Sequence, residues 1–148
     1  MQVARWLHLL GVVVWVGGMF FAHMALRPSV QALDPPQRLP LLAATLSRFL
    51  TWVAVSVVLL LGSGAYMIIT LGGFGAVRWP VHAMVALGTV MVLVYAWLVA
   101  SPFRALKDGV AAADWPRAGA AMGRVRHLVA VNLVLGLVTF TIAALGPR

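Results

Sequence analysis

The chain contains no cysteine, and only three of its 148 residues are acidic: Asp34, Asp108 and Asp114. Without cysteine there are no disulfides, no thiolate zinc sites and no iron–sulfur clusters. Charged residues make up 9% of the chain, where a soluble domain carries roughly a quarter. Hydrophobic residues reach 63% and the mean hydropathy is +1.00, so lipid takes the place of the missing charge. The scarcity of carboxylates also argues against a proton pump or a cation-coupled transporter, which need ionisable groups inside the membrane. All three acidic residues lie in the connections between apolar runs.

Four apolar stretches come close to the ~20 residues a helix needs to cross a bilayer. They run over about 5–27, 49–71, 80–101 and 125–145. This predicts an all-α integral membrane protein, a single membrane domain over 1–148 built as an up-down-up-down bundle of four transmembrane helices. The first stretch reads as a retained helix, because its apolar run is too long for a signal peptide and no small-x-small cleavage site follows. Asp34-Pro35 and Asp114-Trp115-Pro116 each look like an N-cap followed by proline in the first turn. Helices 2 and 4 are therefore expected to begin in water, before they enter lipid.

Basic residues set the expected orientation. The connections after helices 1 and 3 hold Arg27, Arg38, Arg48, Arg104, Lys107, Arg117, Arg124 and Arg126, against Arg5, Arg78 and Arg148 on the other side. The positive-inside rule then places both termini outside, on the periplasmic face of a bacterial inner membrane. A basic cytoplasmic rim facing anionic lipid accounts for the net charge of +8. No nucleic-acid partner is needed to explain it.

The four histidines sort into two levels on this topology. His8 and His82 share the outer level, and His23 and His127 the inner one. On a regular helix His8 and His23 stand ~60° apart in rotation and roughly 22 Å apart in rise. Trp15 and Met19 lie between them on the same stripe. This spacing suits two stacked sites and excludes one shared site.

Paired imidazoles at each level are the axial ligand set of haem b. The expectation is two haems, one on His8 and His82 and one on His23 and His127, with Trp15 either packed between the macrocycles or part of the ordinary core. Arg5 and Arg78 outside, and Arg124 and Arg126 inside, stand where propionates need cations. Copper is the alternative ligand, because Cu(I) combines imidazoles with soft thioethers. Met19, Met24 and Met122 are the methionines that such a site would add.

The segment "WLHLLGVVVWVGGMFF", with His8, Trp15, Gly17 and Gly18, resembles the first helix of the CopD copper-resistance membrane domain and of the related HemJ-type protoporphyrinogen oxidases. "RWPVHAM" is similar to the HemJ pattern in which His-Ala-Lys soon follows tryptophan, with Met84 here in place of the lysine. The CopD resemblance implies copper handling. The HemJ resemblance implies haem bound through the first-helix histidine, His8 in this sequence.

The resulting expectation is a di-haem b-type membrane cytochrome that moves electrons between quinone or quinol and a periplasmic partner. Its possible enzymatic role would be that of a haem-dependent oxidoreductase. A CopD-like copper transport or resistance protein and a haem-biosynthetic oxidase are the other two readings.

Overall fold

The computed structural model describes residues 1–146. They form helices α1 (Gln2–Ala32), α2 (Pro35–Thr70), α3 (Trp79–Ala100), α4 (Pro102–Ala111) and α5 (Trp115–Leu145), with no strand among the described residues. There are four spans long and apolar enough to cross a membrane, starting at Gln2, Pro35, Trp79 and Trp115. With 36 and 31 residues, α2 and α5 are ~54 and ~46 Å long at 1.5 Å per residue. Both exceed the ~30 Å hydrocarbon layer, so they extend beyond it, as their proline starts suggest.

Residue spacing explains how the helices pack. Gly11 lets α1 lie against α2, where a Cβ would come within 3.0 Å of Leu60 Cγ and 3.3 Å of the Ser56 carbonyl. Further along the same seam Gly18 sits under the Phe49 ring. Gly136 plays the same part on α5, beneath Val16 of α1 and Met91 of α3. Asn132 Nδ2 donates to the Met91 carbonyl at 3.1 Å, and the Tyr95 hydroxyl donates to the Leu50 carbonyl at 2.9 Å. These two bonds tie α3 to α5 and to α2. Trp15, Met19, Val53, Met91 and Leu133 are all buried and fill the middle of the bundle.

Two features depart from the sequence reading. First, α1 is not a regular α-helix: it widens to π-helical turns at Val13–Gly17 and Ala22–Leu26. The second has a clear cause in Pro28, whose ring would collide with the carbonyl four residues back in an α-helix. The Arg27 N–H instead bonds to the carbonyl of Ala22, five residues back. Each π turn takes up extra residues, so the count of 3.6 per turn that set His8 and His23 ~60° apart does not hold along α1.

Second, the connection before α5 is itself a helix. Ser101 breaks α3 with φ −123° and ψ −82°, and Pro102 opens α4. Phe103, Leu106 and Gly109 are buried, at the i, i+3 and i+6 spacing of an apolar helix face. A Cβ at Gly109 would meet the Ala118 backbone at 2.9 Å, so α4 lies flush on α5. The bundle thus has an α4 end and an opposite, terminal end. At the terminal end the Thr70 hydroxyl donates to Met1 Sδ at 3.0 Å and Gly146 packs on Pro80.

Candidate functional site

At the terminal end His8 is half-buried against α2, with Nδ1 3.0 Å from the Ser63 hydroxyl oxygen. That hydroxyl gives its one proton to the Leu59 carbonyl, so toward His8 it can only accept. In the tautomer this arrangement favours, Nδ1 carries the proton and Nε2 the lone pair. Gly64 leaves room for the ring, since a Cβ there would stand 3.5 Å from His8 Cε1.

His82 lies in the first turn of α3 and is exposed. Its Nδ1 is 3.3 Å from the Arg78 carbonyl. A carbonyl only accepts, so Nδ1 of this ring donates, and Nε2 is turned away from it. Phe74 steadies it from the preceding loop, with ring centroids 5.8 Å apart and planes tilted by 47°. Each ring is thus held by a different neighbour, His8 by α2 and His82 by the approach to its own helix. Arg5 and Arg78 are exposed at this same end.

At the α4 end His23 sits in the second π turn and lines a cavity of about 250 Å³ between α1, α2 and α5. Arg27, Gln31, Arg38, Met122 and Arg126 line it too. His127 is exposed and lies outside that lining, and so does Arg124. The cavity thus joins His23 to Arg126 and not to His127. Of the three methionines proposed for copper, Met122 reaches the cavity, Met19 is buried in the bundle and Met24 is exposed. Trp15 is buried edge-on against Tyr95, in the middle of the bundle between the two levels.

No cluster of three or more histidine, aspartate or glutamate side chains occurs among the described residues. A metal at either level would have at most paired imidazoles as nitrogen ligands, completed by other donors. A family model, copper resistance protein D (CopD), matches residues 43–145. The chain belongs to the CopD family. The matched region takes in His82 and His127, and His8 and His23 precede it. Searches of curated proteins and of solved structures give no match to the chain.

Sequence reading missed several residues of these sites, Ser63 and Arg38 among them. Ser63 orients His8, and its signal is the hydroxyl between two glycines in "LGSGAY". Arg38 lines the α4-end cavity. Its signal is its place one turn after the Asp34-Pro35 helix start, which carries its side chain back toward the end of α1.

Proposed function

We propose that this CopD-family membrane protein handles copper at its terminal end, with Nε2 of His8 and Nε2 of His82 as its imidazole ligands. The observation that carries this is that Nδ1 of each ring is held by a hydrogen-bonding partner, the Ser63 hydroxyl at 3.0 Å and the Arg78 carbonyl at 3.3 Å, which turns Nε2 outward as the nitrogen free to ligate. Metal-binding histidines donate their other N–H to a fixed acceptor, which sets both the ring orientation and the free lone pair. Ser63 and the Arg78 carbonyl are such acceptors. Imidazole suits copper, and neutral donors without a carboxylate suit the singly charged Cu(I) better than a harder dication. With the basic α4 end in the cytoplasm, this site meets copper from the periplasmic side of the inner membrane. Copper is here a cargo, bound and released by the two rings.

Haem b on the same two nitrogens is the second reading, and the same two hydrogen bonds favour it equally as a ligand set. The surroundings fit a macrocycle poorly. The interior is filled by Trp15, Met19 and Met91. A hollow of about 480 Å³ at the terminal end is lined by α1 and α2 residues such as Ala4, Leu7, Gly62 and Ser63, and includes neither His8 nor His82. A second haem at the α4 end has only His23 on the cavity there. Quinone and a periplasmic redox partner belong to the haem reading alone.

Purified protein titrated with Cu(I) against a colorimetric chelator, with its visible spectrum recorded, tests the proposal. The expected result is a colourless protein that binds copper and weakens on the order of tenfold or more in His8→Ala and in His82→Ala. His23→Ala and His127→Ala are expected to retain wild-type affinity. A red protein with a low-spin b-type spectrum and no copper affinity would replace this reading with haem.

A further inference from the structure

The α4-end cavity gathers cations that no carboxylate balances. Arg27 comes from α1, Arg38 from α2 and Arg126 from α5. The lining contains no aspartate or glutamate, and among the described residues none of the three arginines forms an ion pair. Arg38 follows Asp34 by one turn, yet its guanidinium donates to the Leu33 carbonyl at 3.3 Å. Arg27 and Arg38 are half-buried, where like charges are poorly screened. Three arginines from three helices line one cavity, Arg126 at its exposed side, and so much unbalanced positive charge calls for an anion.

The rest of the cavity describes that anion. One wall is apolar, built of Leu26, Leu39, Leu42, Leu46 and Val129. On the α5 side Gly119 and Gly123 line the cavity one turn apart, and a Cβ at either would meet nothing within 4 Å. That bare strip lets a headgroup approach the α5 backbone. Planar guanidiniums pair with phosphate oxygens in bidentate fashion, and the leucine wall suits an acyl chain. Basic pockets between transmembrane helices hold anionic headgroups at this depth. A free inorganic ion would use the arginines and leave the leucine wall without a role.

We infer that this cavity is a binding site for an anionic phospholipid, with its phosphate held by Arg27, Arg38 and Arg126 and its acyl chain against the leucines of α1 and α2. The site stands apart from the copper ligands at the other end, and its test does not depend on them.

The probe is delipidated full-length protein in uncharged detergent, melted with added phosphatidylglycerol, phosphatidylcholine or inorganic phosphate. Phosphatidylglycerol is expected to raise Tm by roughly 4 °C or more, with little effect from the other two. Arg27→Gln combined with Arg126→Gln should abolish that rise, while Arg104→Gln, an exposed charge on α4 outside the cavity, should keep it. Gly123→Leu keeps every charge and fills the cavity, so it should also lose the response, and it decides the matter if the double variant does not fold. Equal stabilisation by phosphatidylcholine, an equal rise with inorganic phosphate, or a wild-type response in Gly123→Leu would each overturn the lipid assignment.

Discussion

His8 and Ser63 lie 55 positions apart in the chain and meet at 3.0 Å across the α1–α2 seam, Nδ1 of the imidazole against the hydroxyl oxygen. The bond fixes which ring nitrogen is free. If that is its role, Ser63→Ala lowers copper affinity about tenfold, because the ring loses its fixed tautomer and orientation. Folding should suffer little, since side-chain hydrogen bonds within membranes average about 0.6 kcal/mol. Ser63→Thr retains the hydroxyl and should retain the affinity. Chelator competition and a denaturation curve on the same preparations separate the two effects, and unchanged copper binding in Ser63→Ala would remove Ser63 from the site.

Trp15 and Tyr95 join α1 to α3 at mid-bundle, their rings edge to face with centroids 6.2 Å apart and planes at 72°. The Tyr95 hydroxyl also bonds to the Leu50 carbonyl. Tyr95→Phe keeps the ring contact and removes only the bond, so its cost should stay near 0.6 kcal/mol and below about 1.7 kcal/mol. Tyr95→Ala also empties the space beside Trp15 and should cost about 3–5 kcal/mol, as for other large aromatics truncated in cores. Unfolding in mixed micelles compares the pair. Equal losses would mean that the hydrogen bond, and not the ring packing, holds this level together.

Gly17 and Gly18 are neighbours in sequence with opposite surroundings. A Cβ at Gly17 meets nothing within 4 Å, whereas one at Gly18 falls on the Phe49 ring. Gly18→Ala should therefore destabilise by about 1–3 kcal/mol through overpacking. Gly17→Ala should be neutral, or stabilising by up to about 1 kcal/mol through helix propensity. Adding Phe49→Leu to Gly18→Ala should recover part of the loss. A Gly18→Ala protein as stable as wild type would show that α1 and α2 do not approach this closely.

Much of the architecture could be read from the chain. Long apolar runs with so little charge have no stable place except in lipid, and each run is long enough for a helix to cross it. The proline starts were legible for the same kind of local reason. Helices α2 and α5 begin at Pro35 and Trp115, and Asp114 caps α5 by accepting from the Arg117 N–H at 3.1 Å. Asp34 makes no side-chain cap bond, although the two sequences look alike. The α4 helix was hidden because its ten residues carry charge and follow a transmembrane run, which made them read as a connection.

The sequence by itself determined the membrane class and the four spans, and it placed Trp15 and Met19 on one stripe of the first helix. These depend on composition, length and local spacing, which a single chain carries openly. Only the tertiary structure decided what each imidazole faces. His8, before both π turns of α1, faces Ser63, and beyond the turns that break the regular rotation His23 lines the cavity shared with Arg27, Arg38 and Arg126. Arg38 joins Arg27 and Arg126 because α1, α2 and α5 converge at one end. Such a convergence is a property of packed helices and leaves no periodic trace in any one of them.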